Sequence, residues 1–342
     1  MKIALDVMGG DHAPAVNIGG AKQALSHFPE MKRLFLVGDE SAIRKEAQEQ
    51  GLNLSDSRLV IVHAPEVIGM AEPSVHAVRR KKQSSINVAM DLVKSGKADA
   101  FVSAGSTGAA VASATIKLRT LAGIERAGIA TALPNEHGVC HILDAGANPE
   151  AKPAHLAGYA IMGTAFARHV LGVAQPKVGL LSNGEEDEKG TTFTKETFAL
   201  LKQTPGINFV GNVEGHDIFE SRIDVVLCDG FTGNVVLKSI EATAKAVSKW
   251  LKAEIKAKPL RMAGAMLARG AFRALKKKAS AETYGGSPLL GVNGVVIIAH
   301  GSSTATAIRN AIRVALETVS HKVNPHIEAG AALLSQSSLE RD

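Results

Sequence analysis

The chain has 342 residues, of which 45% are hydrophobic and 21% are charged, a composition typical of a folded globular protein. Aromatic residues make up only 4%, which argues against the base-stacking surfaces of proteins that bind single-stranded nucleic acid, so we expect no nucleic-acid partner. The formal net charge is +6 and is unevenly distributed, because residues 256–278 contain eight basic residues and no acidic one. Such a patch predicts an anionic partner.

Cellular location can be predicted from what the sequence does not contain. No basic and apolar leader opens the chain, and no apolar run approaches the ~18 residues of a membrane span. Cys140 and Cys228 each lie in an apolar run, which indicates buried, reduced thiols. We therefore expect a cytoplasmic protein.

Strand-like and helix-like runs alternate along the chain, which predicts parallel strands with crossover helices in a layered α/β/α sandwich. With no long linker or repeat, one continuous domain over residues 1–342 is the simpler organisation. The predicted strands are 2–7, 33–38, 58–63, 99–103, 127–132, 139–144, 177–182, 207–210, 224–228 and 294–299. The predicted helices include 15–27, 40–50, 84–95, 108–122, 153–171, 191–203, 234–255 and 303–319.

The first predicted strand breaks into Gly9-Gly-Asp-His12 and a proline. In open α/β proteins, ligands bind beyond the carboxyl ends of the strands. Asp11 and His12 are therefore candidate site residues, although a tight turn with a solvated aspartate is the alternative.

The segment Phe101-Val-Ser-Ala-Gly-Ser-Thr-Gly-Ala109 ends a strand and opens a helix, and a helix start favours a bound anion. Gly105 and Gly108 would let the backbone approach the anion, and Ser106 and Thr107 offer hydroxyls. The alternative is a helix cap without a ligand. The segment is not a Walker A loop, and no Gly-x-Gly-x-x-Gly follows the first strand.

Two later segments also join a strand to a polar loop. Residues 178–190 end in four acids and Lys189, which becomes a useful cation if it folds inward; a solvated acidic loop is the alternative. His137, Cys140 and His141 nearby lack the spacing of a zinc site, so we expect no metal there.

The segment Val225-Val-Leu-Cys-Asp-Gly-Phe-Thr-Gly-Asn234 is the sharpest local signal. Asn234 stands where the next helix is predicted to start, so it either caps that helix or donates its amide to an anion or oxyanion. Asn212 has a similar setting at the end of a strand. We expect these loops to converge at one edge of the sheet.

Residues 256–278 are predicted to form a basic amphipathic helical segment. On a helical wheel, Arg261, Arg269, Arg273 and Lys276 share one side, and Leu267 and Leu275 are among the residues on the other, while Phe272 adds apolar area. Interfacial helices have this composition, and a surface helix packed on its own domain is the alternative.

Several motifs, in order, closely resemble those of the bacterial phosphate acyltransferase (PlsX) family and span nearly the whole chain. They are the first fourteen residues, Asp144-Ala-Gly-Ala-Asn148, Gly211-Asn-Val-Glu-Gly215, Asp229-Gly-Phe-Thr-Gly-Asn234, Gly285-Gly-Ser-Pro-Leu-Leu-Gly291 and His300-Gly-Ser302. The chain departs from the family at Ser106 and Ser182, where asparagine is usual. Asp144, Asn148 and His300 become further candidate site residues through this resemblance.

The resemblance implies the fold of isocitrate and isopropylmalate dehydrogenases, and a reaction without a cofactor. In that reaction inorganic phosphate attacks an acyl thioester on acyl carrier protein, giving acyl phosphate for phospholipid synthesis. For this chemistry we assign Lys189, Gly233 and the 105–108 loop to phosphate. We assign Asn212 and Asn234 to the carbonyl or oxyanion, and Asp229 to orienting Lys189 or a phosphate proton.

Two anionic partners compete for residues 256–278, the membrane surface and the acidic acyl carrier protein. The apolar residues of the segment favour reversible peripheral association with the membrane, with carrier-protein contact on nearby basic residues. We also expect a homodimer and contact with a membrane glycerol-3-phosphate acyltransferase. Three alternatives remain: a phosphotransacetylase that uses acyl-coenzyme A, a dehydrogenase of the same fold, and a basic protein that only binds membranes or nucleic acid. Several polar loops at strand ends and the low aromatic content count against the last.

Overall fold

The computed structural model describes residues 1–279 and 284–339. Its strands are β1 (Lys2–Asp6), β2 (Arg33–Gly38), β3 (Leu59–His63), β4 (Ala100–Ser103), β5 (Gly128–Asn135), β6 (Gly138–Leu143), β7 (Lys177–Leu181), β8 (Asn208–Val213), β9 (Val225–Leu227), β10 (Ser287–Leu290) and β11 (Val295–Ile298). Together they form one 11-stranded sheet in the order β3-β2-β1-β4-β11-β10-β5-β6-β9-β7-β8.

Helices flank this sheet on both faces. In the first part of the chain they are α1 (Ala15–His27), α2 (Glu40–Glu49), α3 (Ser74–Arg80), α4 (Ser85–Lys94), α5 (Thr107–Lys117), α6 (Pro153–His169), α7 (Thr192–Leu201) and α8 (Asp217–Glu220). The later ones are α9 (Gly230–Lys256), α10 (Pro259–Leu267), α11 (Arg269–Ala279), α12 (Ala305–Ser320) and α13 (Val323–Leu339). No helix in the described part of the chain combines the length and the apolar character needed to cross a membrane.

The sheet reverses direction at its centre. Strands β3, β2, β1, β4 and β11 are parallel to one another, and so are β6, β9, β7 and β8. Between these two halves lie three antiparallel pairings, β11–β10, β10–β5 and β5–β6. Because three is odd, the two parallel halves run in opposite directions.

Apolar side chains bury both faces of the first half of the sheet, as parallel strands require. Phe101 packs beneath α4 and α5 on one face, whereas Leu5 packs beneath α1 and α12 on the other. Helix α1 approaches α12 closely at Gly20, where an added Cβ would lie 2.5 Å from the side chain of Ile308. The core therefore fixes the strand ends that carry the polar loops.

The predicted α/β/α class is confirmed, and most predicted elements match within a few residues. The prediction missed β10, α3, α8 and α13. Strand β10 has only four residues and contains a proline, which is unfavourable in a central strand, so its sequence reads as a turn. The predicted helix over 234–255 begins earlier, at Gly230.

The basic segment at 256–278 is not one continuous helix. Helix α9 ends at Lys256, and the chain then forms α10 and α11 with breaks at Lys258 and Ala268. The single helical wheel drawn from the sequence therefore does not describe the faces of this segment. Arg261 pairs with Glu254 of α9, so its charge faces a neighbouring helix.

His141 lies on β6 with its side chain buried, and its ring packs edge-on against Phe166 with the ring centroids 5.5 Å apart. Burial lowers the pKa of His141 from 6.5 to about 4. Cys140, the preceding residue on the same strand, packs in the core cluster that contains Leu133, whereas Phe166 belongs to another cluster. Side chains alternate along a strand, so Cys140 and His141 face opposite sides of the sheet.

Titration of His141 should make stability depend on pH. Between pH 6.5 and about 4, the unfolded chain binds a proton that folded His141 excludes. The titration of His141 thus leaves the free energy of unfolding unchanged above pH 6.5. As the pH falls towards 4, it lowers this free energy by up to about 3 kcal/mol. Replacing His141→Gln should flatten the pH dependence of the unfolding free energy across this window, whereas the exposed His137→Gln should not. Parallel curves for wild type and His141→Gln would contradict this.

Candidate active site

A buried carboxylate ties together the turns that follow β1 and β4. Ser103 Oγ donates to Asp6 Oδ2 at 2.7 Å and accepts from the backbone N–H of Gly105 at 2.9 Å. Burial raises the pKa of the wholly buried Asp6, and the hydrogen bond from Ser103 opposes that rise. An added Cβ at Gly9 would lie 2.6 Å from the Gly105 nitrogen, so the two turns approach as closely as backbones can.

Helix α5 begins directly beyond this pair of turns. The buried Ser106 is its N-cap and accepts from the backbone N–H of Ala109 at 3.4 Å. Thr107 and Gly108 are exposed at the first turn, where backbone N–H groups have no partner within the helix. The Ser106 side chain therefore serves as a cap, while the exposed amides of this turn can bind an anion.

The turn after β11 meets the turn after β1. The backbone N–H of Asp11 donates to the carbonyl of Gly301 at 2.8 Å, and His300 Nδ1 lies 2.8 Å from Ser302 Oγ. Gly10 has a φ of +109°, a conformation that favours glycine. Asp11, His12 and His300 are exposed, so this edge of the first half presents one carboxylate and two imidazole side chains to solvent.

A second buried carboxylate holds the loop after β6. Asp144 is fully buried and accepts backbone N–H groups from Ile129, Gly146, Ala147 and Asn148 at 2.6–3.0 Å. Burial raises the pKa of Asp144, and these four hydrogen bonds oppose the rise. The contacts are those of a residue that shapes a loop, and the predicted place of Asp144 in the active site stays a prediction.

Asn148 connects this loop to α6. Its Nδ2 donates to Tyr159 Oη at 3.1 Å and lies 3.2 Å from His155 Nδ1. His155 Nε2 in turn lies 3.3 Å from Glu125. The carbonyl of Asn148 accepts from the backbone N–H of Gly230, so this loop also positions the start of α9.

Asp229 caps helix α9. Its Oδ1 accepts from the backbone N–H of Thr232 at 2.8 Å, and its Oδ2 accepts from Thr232 Oγ1 at 2.6 Å. Because Asp229 is the cap, the alternative that Asn234 caps the helix is wrong. The described contacts of Asp229 lie within its own helix and not with Lys189.

Asn234 lies in the second turn of α9, exposed, against the Asp144 loop. An added Cβ at Gly146 would lie 3.6 Å from the Asn234 Cβ, and one at Gly233 would lie 2.0 Å from the carbonyl oxygen of Asp144. Glycine at position 233 is therefore required for α9 to reach this loop. These contacts leave the Asn234 side chain accessible to a ligand.

Asn212, near the end of β8, contacts the loop after β7 that carries Lys189. The buried Asn212 donates from Nδ2 to the carbonyl of Glu186 at 2.8 Å, which ties β8 to the acidic loop. Lys189 is exposed, and its methylenes pack beside Gly184. The Lys189 side chain is not folded inward, and its role in binding phosphate stays a prediction.

Three side chains in the same region could share a cation. Glu185, Glu214 and His216 place ligand atoms within 4.8 Å of one another, and two of them, Glu185 and His216, are exposed. Exposed acidic groups commonly approach each other without a metal, so this geometry alone does not define a metal site.

The loops that carry Asn212 and Asn234 lie at the same edge of the sheet, because β8 and β9 are both parallel to β7, but the loops of the first half lie at the other edge. The 105–108 loop and His300 follow strands of the first half, whereas Lys189, Asn212 and Asn234 follow strands of the second half, which run the opposite way. The three antiparallel pairings at the centre, including the unpredicted β10, cause this separation.

Helix α9 links the two sets of loops. It starts at the Asp144 loop, and Leu237 packs against the core cluster that contains Phe101 and Leu289. One turn further, Glu241 lies 3.9 Å from His300 Nε2 in the first half. The candidate site is therefore a region spanned by the first three turns of α9, and sequence periodicity alone carried no sign of it.

A family described as fatty acid synthesis protein matches residues 1–326 of the chain. The chain belongs to this family. It is 61% identical to a phosphate acyltransferase of Akkermansia muciniphila over 339 residues, which cover 98% of this chain and 97% of that protein.

Solved structures share the fold at low sequence identity. A phosphotransacetylase from Streptococcus pyogenes matches with a TM-score of 0.62 and 18% identity over 94% of each chain. A 4-hydroxythreonine-4-phosphate dehydrogenase from Klebsiella pneumoniae matches with a TM-score of 0.52 and 13% identity over 93% of this chain and 98% of that one. These similarities establish the fold class and carry no further argument.

Asp144→Asn should destabilise the protein by about 2 kcal/mol or more. The NH2 of asparagine would face backbone N–H groups that now donate to the Asp144 carboxylate. Those N–H groups would lose their acceptor, and each unsatisfied buried group costs about 1–3 kcal/mol. Asp224→Asn is a matched control, because Asp224 accepts one described side-chain hydrogen bond, from the Lys177 N–H at 2.8 Å, which an amide oxygen can replace. Denaturant unfolding measures both variants, and equal losses would refute the role of Asp144 in holding the loop.

Proposed function

We propose that this protein is a phosphate acyltransferase that moves a fatty acyl group from acyl carrier protein to inorganic phosphate. The observation that carries the proposal is the 61% identity, over nearly the whole chain, to a protein named phosphate acyltransferase. The carrier-protein donor and the use of acyl phosphate in phospholipid synthesis rest on the resemblance of the motifs and on the chemistry below.

In the proposed step a phosphate oxygen attacks the thioester carbonyl carbon. The new C–O bond forms, the C–S bond breaks, and the carrier protein leaves as a thiolate that water protonates. Because a thiol has a pKa near ~8.5, it leaves without a strong general acid. Phosphate is the nucleophile, so no side chain of the enzyme has to form a covalent intermediate.

The cysteines of this chain support direct attack by phosphate. Burial raises the pKa of Cys140 to about 12, and burial also raises the pKa of Cys228 well above its ordinary value. A buried thiol that does not ionise is a poor nucleophile. The double variant Cys140→Ser, Cys228→Ser should therefore remain active when folded.

For phosphate we propose the exposed first turn of α5, where Thr107 and Gly108 present backbone N–H groups and the helix dipole favours negative charge. Lys189 lies with the loops of the other half of the sheet, so we propose it as a separate candidate for binding phosphate and not as a second ligand of an ion held at α5. Asn234 and Asn212 are the proposed donors to the developing oxyanion, and such donors contribute about 3–4 kcal/mol each.

The proposal is tested by incubating the enzyme with acyl carrier protein thioester and measuring free thiol. Thiol should appear only when phosphate is present. Release without phosphate would indicate a hydrolase, and turnover confined to acyl-coenzyme A would indicate a phosphotransacetylase.

Lys189→Ala should raise the KM for phosphate while leaving the fold intact. Lysine binds phosphate as a point charge, and the exposed Lys189 stands next to acidic neighbours that cannot take its place. Steady-state kinetics at varied phosphate concentration measure the effect, with the nearby exposed Lys195→Ala as the control. An unchanged phosphate KM would remove Lys189 from the site.

Asn234→Ala should lower kcat by on the order of 100-fold with little change in KM, because an oxyanion donor acts mainly in the transition state. Asp229→Ala is the control for the helix start, and loss of this N-cap should cost about 1 kcal/mol of stability. Thermal midpoints and turnover together separate the two roles. Full activity in Asn234→Ala would end its catalytic assignment.

We further propose that α10 and α11 bind the membrane surface reversibly. Leu260, Met266, Leu267 and Leu275 are strongly exposed, and Arg269 and Arg273 are exposed beside them. Acyl phosphate is amphiphilic, so its release beside a bilayer would favour transfer to a membrane glycerol-3-phosphate acyltransferase.

A homodimer in the cytoplasm is the assembly we propose on the motif resemblance.

Leu267→Glu should reduce co-sedimentation with anionic liposomes while turnover of the free thioester persists. Leu267 is 92% exposed, so the change should not disturb packing. Wild-type binding should weaken with salt, since each basic residue near an anionic surface contributes about 1 kcal/mol. Leu333→Glu on α13 is the matched control, and equal sedimentation of wild type and Leu267→Glu would show that α10 is not the anchor.

A further inference from the structure

Helix α3 and the loop before it form an exposed surface of mixed apolar and basic character, here called the α3 surface. Its residues are Val67, Met70, Val75, Arg79, Arg80 and Lys82. The three apolar side chains are 39%, 51% and 53% exposed. The three basic side chains are exposed at the end of the helix and just after it.

The positive charge of this surface is not neutralised by the acids around it. Glu72 forms an ion pair with Lys81 at 2.6 Å, and Glu66 accepts from the backbone N–H of Gln83 at 2.9 Å. Arg80 helps to lower the pKa of Glu72, after the larger effects of Lys81 and the Gly69 N–H, but no ion pair within 4 Å joins Arg80 to Glu72 among the described residues. The surface therefore presents a net positive field to a partner.

The α3 surface borders the candidate site. Ser74, the first residue of α3, packs against the start of α5, since an added Cβ at Gly108 would lie 2.4 Å from Ser74 Oγ. Met70 lies against the turn after β11, where an added Cβ at Gly301 would be 2.9 Å from the Met70 methyl carbon. A protein held on this surface would stand directly beside the proposed phosphate site.

The stronger basic patch on α10 and α11 lacks this position. Among the helices and strands of the described residues, α10 packs mainly on α9 and α11. Of the 27 residues of α9 itself, only Gly230 and Gly233 are buried. By charge alone, α10 and α11 would be the better docking site for an acidic partner. The acyl thioester of that partner, however, has to reach the proposed phosphate site, and the α3 surface borders this site.

We propose that the α3 surface docks an acidic carrier protein, with Arg79, Arg80 and Lys82 facing its carboxylates and Val67, Met70 and Val75 covering its apolar contact. The inference rests on the proposed acyl transfer from a carrier-protein thioester. The basic residues accelerate encounter through charge complementarity, and the apolar residues supply the contact that slows dissociation.

The test is the double variant Arg79→Glu, Arg80→Glu assayed with two thioesters of the same acyl chain, one on acyl carrier protein and one on pantetheine. The KM for the carrier-protein thioester should rise at least about tenfold, with kcat nearly unchanged, and wild-type kcat/KM for it should fall with added salt. Kinetics with the acyl-pantetheine should match wild type. Lys32→Glu, Arg33→Glu is the matched control, because this exposed pair lies at the opposite, amino end of β2.

An unchanged carrier-protein KM in the α3 variant would overturn the proposal. Equal losses with both thioesters would also overturn it, because they would place the residues in folding or chemistry; thermal midpoints distinguish these two. Rescue of the variant by a carrier protein with a Glu→Lys change would support the contact. Failure of the proposed function would show in the wild type: thiol release from the carrier-protein thioester would be absent or would not depend on phosphate.

Discussion

The three antiparallel pairings at the centre of the sheet are the constraint on which the rest of this structure depends. Strands β10 and β5 lie between two parallel halves and make those halves run in opposite directions. In a fully parallel sheet, all strand-end loops would meet at one edge. Here two groups of loops exist, and a helix has to connect them. The first three turns of α9 make that connection, from the Asp144 loop to the contact between Glu241 and His300.

Each half of the sheet fixes its loops with the same device, a fully buried aspartate at a strand end. Asp6 binds Ser103 and the backbone N–H of Met8, and Asp144 binds four backbone N–H groups. A buried charge is costly unless it is satisfied, and both carboxylates are satisfied within their own turns. Preorganised backbone amides are what a reaction between phosphate and a carbonyl requires, because they need no rearrangement when charge develops.

Sequence patterns predicted the class of fold and nearly every long element, since burial on both faces leaves continuous apolar runs that periodicity detects. They did not predict β10, whose four residues follow two glycines and include a proline. Without β10, the sequence gives no indication that the two halves of the sheet run in opposite directions. Local patterns also identified Asp229 and Asn234, but the alternative that Asn234 caps the helix was wrong, because the predicted helix start lay four residues late. Asp6 was overlooked although a charged residue inside an apolar strand is itself a signal of a buried contact.

The central claim is that inorganic phosphate, and not water, accepts the acyl group. The most direct measurement uses phosphate labelled with ¹⁸O at all four oxygens, together with acyl carrier protein thioester, and follows the products by mass spectrometry. The account predicts an acyl phosphate that retains all four labelled oxygens, one of them bridging carbon and phosphorus, formed in step with free thiol. Release of a fatty acid carrying oxygen from water, with the labelled phosphate unconsumed, would contradict it.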